Sequence, residues 1–367
     1  MIKYELINNF NFKGSRCENI QTLKQKIKDF IPKACISNHP IDKRQEVIPI
    51  TEDVYFINFL ANYMYEIKIK SIILEYNYVD KSFLKDFQQY HLTCFQHYKK
   101  YCLRVHLLTV EIKSLPLKED FKFKELDKLN NHNYAGFVVI RPLPRAYIGR
   151  TALKPIKEGN KNYFYIKDEV KIHLFGKNLT CNTLIFTQKD RSVGACTPTS
   201  LWISLNGVKS LWDLGEIPSI SDLTIMAENL IGPYSRTFPN KGLYIPQLEY
   251  IIKRFGLEPD YISPYEFANP SELISAYIRA KIPIMVLIDF YKTNKVEKRE
   301  ENQWVFKKKE DLLKAEKQLD MKHMCVISGV ELINLDEVKS EENLITSHLN
   351  KIFIHDDNMS PYEPCVI

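Results

Sequence analysis

Apolar residues in this chain arrive in short runs, such as IKIKSIILEY at Ile67–Tyr76 and IPIMVLIDF at Ile282–Phe290, separated by polar and turn-forming stretches. Runs of this length match β-strands or one face of a helix, and none reaches the roughly 18 residues of a membrane helix. Such a chain has to bury its apolar surface against itself, across several elements. Its 367 residues exceed one ordinary domain of about 150, which favours two or three. With 45% hydrophobic and 26% charged residues, wholesale disorder is excluded, and 12 Gly and 18 Pro are too few for a collagen-like or low-complexity chain.

The first half alternates strand-like and helix-like segments. Strands are predicted at Ile67–Tyr76, Leu103–Ile112, Tyr134–Arg141, Tyr163–Ile166 and Val170–Phe175, and a helix over Lys81–Lys100. Phe83, Phe87, Tyr90, Phe95 and Tyr98 form a stripe at helical spacing, read as a core face. No chemical motif stands out, so residues 1–176 are read as an α/β domain of unknown role.

Charge and cysteine usage narrow the compartment and the partners. The net charge of +6 is spread along the chain, with Glu300 and Glu301 directly after Arg299, and no nucleic-acid reader motif accompanies it. Eight cysteines occur without a CxxC pair, and MIKYELINNF lacks a basic segment followed by an apolar core. Reduced thiols in a cytoplasmic protein are therefore expected, with neither nucleic acid nor membrane as partner. His91, Cys94 and His97 resemble metal spacing, but on a helix the outer two lie about 120° apart, so no metal is expected there.

The second half, residues 177–367, carries the chemistry. A short strand is expected at Leu184–Phe186 and helices at Ser221–Leu230, Pro246–Phe255 and Pro270–Ala280, with the buried strand Ile282–Phe290 and further strands at Met324–Ser328 and Lys351–His355. Gly194-Ala195-Cys196-Thr197-Pro198-Thr199-Ser200-Leu201 puts a cysteine at a loop-to-helix junction. There the helix N-terminus favours thiolate over thiol, and the Cys196 amide can receive a developing oxyanion. His323-Met324-Cys325-Val326-Ile327-Ser328-Gly329 brings a histidine into an apolar strand, and Ile352-Phe353-Ile354-His355-Asp356 ends another strand in an acid. A thiol, an imidazole and a carboxylate supply a nucleophile, a general acid/base and an orienting group.

These three motifs, in this order, resemble those of the papain-like cysteine peptidases, most closely the C39-like branch. Cys196-Thr197-Pro198-Thr199-Ser200-Leu201 stands for the family's Cys-Gly-Pro-Thr-Ser-Leu, and His323–Gly329 for its His-x-Val-Val-x-x-Gly strand. Asp356 falls where the third strand ends in Asp-Pro, with Asp357 in place of the proline. The likeness covers roughly 184–358. It implies an α+β fold with a papain-like helix-and-antiparallel-sheet domain, and a Cys196–His323–Asp356 triad hydrolysing peptide or isopeptide bonds without a cofactor. The family's oxyanion Gln precedes its cysteine by six residues; that position is Asp190, so Gln188, two residues earlier, is the candidate donor.

Each residue also has a structural reading: Cys196 as a small buried hydrophobe, His323 as a satisfied core histidine, and Asp356 as a turn former with Asp357 and Asn358 as competitors. Cys325 shares the face of His323 and is expected to pack into the core, and His355 to face away from Asp356. The rival functions are a catalytically silent papain-like scaffold and an acyl transferase. A polypeptide substrate is expected, and a partner protein is assigned to the N-terminal domain. Tyr291–Lys322, with ten Lys/Arg and seven Asp/Glu, is read as a solvated segment placed to cover the site.

Overall fold

A computed structural model describes residues 3–8, 10, 12, 14–35, 54–95, 98–115, 125–143, 146–157, 162–190, 195–230, 242–263, 270–291, 304–305, 319–333 and 349–366. It shows mixed helix and largely antiparallel sheet, an α+β composition. Two compact units are present: one comprises Met1–Ile156, Glu169–Val193 and Ser219–Asp222, the other Lys157–Asp168, Gly194–Pro218 and Leu223–Ile367. The sequence reading places a single boundary at 176/177, whereas the chain passes between the units several times.

In the first unit, β1 (Lys3–Ile7) is followed by α1 (Arg16–Cys35), α2 (Val54–Glu66), β2 (Ser71–Tyr78), α3 (Lys81–Gln89), β3 (Cys102–Leu108), β4 (Tyr134–Ile140) and β5 (Ile148–Leu153). The strands form a sheet in sequence order, and every neighbour is antiparallel. This corrects the α/β reading. Alternating helix and strand gives a parallel sheet only when each crossover returns the chain to the far end, and here the connections leave and re-enter at the same end. Phe56, Ile57, Leu60, Ala61 and Met64 bury one broad face of α2, and the Asp80 carboxylate caps α3 by accepting from the Phe83 amide at 3.1 Å.

The predicted helix over 81–100 stops at Gln89. Tyr90 leaves helical geometry (φ −133°, ψ −58°), and buried His91 pairs with Asp190 at 3.2 Å. The aromatic stripe therefore divides: Phe83 and Phe87 are buried, while Phe95 is fully exposed. The predicted strand Leu184–Phe186 is reduced to one bridge, Thr151 to Phe186. Nearby, β7 (Asp168–Leu174) and β8 (Lys177–Thr183) form a two-stranded ribbon, and β6 (Tyr163–Tyr165) belongs to the second unit.

Antiparallel register puts Glu75 opposite Arg104 and Ile73 opposite His106, so these side chains share one sheet face. The Glu75 carboxylate accepts from Arg104 Nε at 2.6 Å and from His106 Nε2 at 3.2 Å, while the Tyr134 hydroxyl donates to His106 Nδ1 at 2.7 Å. A neutral imidazole satisfies both contacts. Burial, only partly opposed by Glu75 and reinforced by the Arg104 charge, lowers the His106 pKa to about 4. Between pH about 6.5 and about 4 the unfolded chain binds a proton here that the folded chain does not, so stability falls as pH falls through that window. Denaturant midpoints for wild type and His106→Gln should show it: wild type loses on the order of 2 kcal/mol more than the variant between about pH 7 and about pH 5. Equal pH slopes would remove the assignment.

The second unit contains α4 (Cys196–Gly207), most of α5 (Ile220–Ala227), α6 (Ile245–Arg254) and α7 (Pro270–Arg279), followed by five strands. These are β9 (Ile284–Tyr291), β10 (Trp304–Val305), β11 (Leu319–Leu332), β12 (Leu349–His355) and β13 (Glu363–Val366). The strands run β10-β13-β12-β11-β6, with β9 also on β11; all pairs are antiparallel except β10 with β13. The expected buried strand at Ile282–Phe290 exists as β9 but is only half-buried, with Leu287 exposed, because among the described residues it pairs with β11 alone. Apart from Tyr291, Trp304–Val305 and Leu319–Lys322, the charge-rich stretch lies outside the described residues.

β11 is the axis of this sheet. Its first part pairs with β9 through Ile327, while Val326 onward pairs with β12 and Gly329–Glu331 with β6. A side chain at Gly329 would collide with Tyr165, since a Cβ would stand 2.4 Å from that ring, so glycine lets β6 approach. Tyr165 then packs against Phe353 and Tyr362, with ring centroids 5.3 and 5.5 Å away.

Candidate active site

α4 starts at the cysteine itself. Ala195 is its N-cap in extended geometry (φ −100°, ψ 172°), and the first helical bond is closed by the Thr199 amide on the Ala195 carbonyl at 3.1 Å. Cys196 is thus the first helical residue, with its sulfur and amide at the positive end of the helix. Ser200, four residues on and on the same side of the helix, donates to the Met324 carbonyl at 3.0 Å and fastens α4 to β11 beside His323.

The third residue comes from strand register. Val326 on β11 faces His355, the last residue of β12, so the chain beyond His355 runs alongside Cys325, Met324 and His323. Residues 357–358 form a turn that folds acidic and amide side chains over the histidine. His323 Nε2 lies 2.8 Å from Asp356 Oδ1, 3.3 Å from Asp357 Oδ1 and 3.1 Å from Asn358 Nδ2. The Asn358 backbone N–H donates to the same Asp356 oxygen at 2.9 Å, holding that carboxylate toward the ring. His323, Asp356 and Asp357 are all buried.

Cys196 is half-buried and hydrogen-bonded to the His323 side chain. With Nε2 engaged by Asp356, Nδ1 is the nitrogen through which the ring can exchange a proton with a thiol. Burial opposes ionisation of Cys196, but the His323 contact and the Met324 amide outweigh it, and the thiol pKa falls below its ordinary value. For His323, burial disfavours the charged ring; the Asp356 hydrogen bond first, then contacts with Cys196 and Cys325, overcome this and push the pKa up to about 12. Both shifts favour a thiolate–imidazolium pair.

Cys196, His323 and Asp356, which the sequence motifs single out, are thus brought together in the second unit. Gln188 falls in the first unit, where its side-chain carbonyl accepts from the Ile148 amide at 3.3 Å and its own carbonyl accepts from Arg141 at 2.8 Å. His355 is buried and packs edge-on against Tyr362, with centroids 4.6 Å apart. Cys325 is fully buried, as period-two alternation implies, and also touches His323, a contact that alternation alone does not give. The roles of the Met324 amide and Ser200 left no sequence signal, because both act through backbone atoms of β11.

Among the described residues, no helix is long and apolar enough to cross a membrane. In comparisons with known proteins, no family model matches the chain, and no curated protein or solved structure matches it either. The site is therefore read from its own geometry.

That geometry sets an expected reactivity. At about pH 6, where an ordinary thiol near 8.5 is almost wholly protonated, Cys196 should be alkylated by iodoacetamide about tenfold or more faster than exposed Cys17. Residue-resolved mass spectrometry measures the two rates, and His323→Ala should erase the difference. Equal rates in wild type would show that no activated thiol exists.

Proposed function

We propose that the second unit is a thiol-dependent amide hydrolase working in the manner of the papain-like, C39-like cysteine peptidases. One observation carries this reading: a single buried imidazole bonds Asp356 at 2.8 Å and also contacts a half-buried thiol at the start of a helix. Cys196 Sγ attacks the carbonyl carbon of a peptide or isopeptide bond. The Cys196 amide, at the positive end of α4, receives the oxyanion. His323 gives its proton to the leaving amine as the tetrahedral species collapses to a thioester. It then takes a proton from water, which attacks the thioester and regenerates the thiol. Asp356 holds the ring and balances its charge throughout. An acyl transferase would share the first half of this sequence and replace water by an amine.

A panel of amide-linked fluorogenic peptides tests the assignment. Wild type should turn over at least one member. Cys196→Ala should lose all turnover, and Asp356→Asn should lower kcat by on the order of 10²–10⁴ while the fold is kept. Turnover persisting in Cys196→Ala would rule out this nucleophile. Failure of every peptide, together with no thioester trapped by an added amine, would favour a binding module that keeps the fold without the reaction.

A further inference from the structure

Cys325 is a thiol at this site that amide hydrolysis does not use. It lies two residues past His323 on β11, fully buried, with its thiol against the imidazole. One ligating atom each from His323, Cys325 and Asp356 falls within 4.8 Å of the other two. Tetrahedral zinc, with bonds of about 2.3 Å to sulfur and about 2.0–2.2 Å to nitrogen and oxygen, needs its ligand atoms roughly 3.3–3.8 Å apart. The three atoms lie within reach of that spacing: the 2.8 Å contact between His323 Nε2 and Asp356 Oδ1 has to open by about half an ångström, and the sulfur, within 4.8 Å of both, has to close on the metal.

The geometry points to a binding site for a zinc-class divalent cation made by His323, Cys325 and Asp356, with water as the fourth ligand. One thiolate, one imidazole and one carboxylate form a borderline-soft set that selects zinc or cobalt over magnesium or calcium. Charge agrees with this choice: a dication offsets the thiolate and carboxylate charges that it brings together in a buried site. Asp357, 3.3 Å from Nε2, adds a further negative charge that draws a cation in. On binding, the Cys325 thiol and the imidazolium each release a proton to solvent as sulfur and nitrogen bond the metal.

The metal site needs no hydrolase. Its consequence, that a metal on His323 removes the proton carrier from Cys196 and silences turnover, rests on the proposed function. Cobalt(II) titration of the reduced full-length chain separates the two, because a thiolate-to-cobalt charge-transfer band reports the ligand directly. One cobalt per chain with such a band is expected in wild type and equally in Cys196→Ala, which cannot hydrolyse. Cys325→Ala should abolish the band, and Asp356→Asn should weaken cobalt affinity about tenfold or more. Cys365→Ala, which removes another buried thiol outside the group, should bind as wild type does, so a loss shared by both variants would mean only damaged packing and would overturn the assignment. Absence of the band in wild type, its survival in Cys325→Ala, or its loss in Cys196→Ala would overturn it as well.

Discussion

The antiparallel register of β11 against β12 governs everything at the candidate site. Because Val326 pairs with His355, the first residues after β12 are carried back along β11, past Cys325 toward His323. A slip of one residue would turn His323 and Cys325 to the opposite face and leave Asp356 beside a different side chain. Gly329 helps hold that register, since β6 packs where a side chain would otherwise stand. Ser200 then pins the helix bearing Cys196 to the carbonyl next to the histidine. The site is thus a consequence of strand pairing, one helix-to-strand hydrogen bond and the short turn that follows β12.

Of the buried histidines that touch carboxylates, His106 and His323 are driven in opposite directions by their environments. His106 meets Glu75, but Arg104 already neutralises that acid and adds its own positive charge, so the ring stays neutral and its pKa drops to about 4. Asp356, Asp357 and two thiols surround His323, and its pKa rises to about 12. A histidine beside a carboxylate yields a structural network in one unit and a charged, chemically usable ring in the other. Burial is common to both, and the sign of the neighbouring charge decides the outcome.

Much of this arrangement was legible in the residues. The helix that follows the Cys196 junction, the strand that His323 enters and the strand ending at His355 follow from short apolar runs and turn signals, and period two already places Cys325 on the face of His323. Less legible was where elements stop. The stripe continuing to Tyr98 gave no warning that Tyr90 leaves the helix so that His91 can reach Asp190, a contact between residues far apart in sequence. Periodicity likewise could not show that the first sheet is antiparallel, because strand direction depends on where each connection re-enters the sheet.

By itself, the sequence determined that helices and strands are mixed, the elements that carry Cys196 and His323 and lead to Asp356, and the chemistry those side chains can perform, since each is a local property of side-chain type and spacing. Tertiary structure alone decided that the chain interleaves its two units, that Gln188 spends its side-chain carbonyl on a backbone amide, and that Cys325 joins the same imidazole as Cys196. Those outcomes depend on which distant strands pair and in which register. Pairing of that kind is set by the sum of many weak long-range contacts, and no short stretch of residues encodes it.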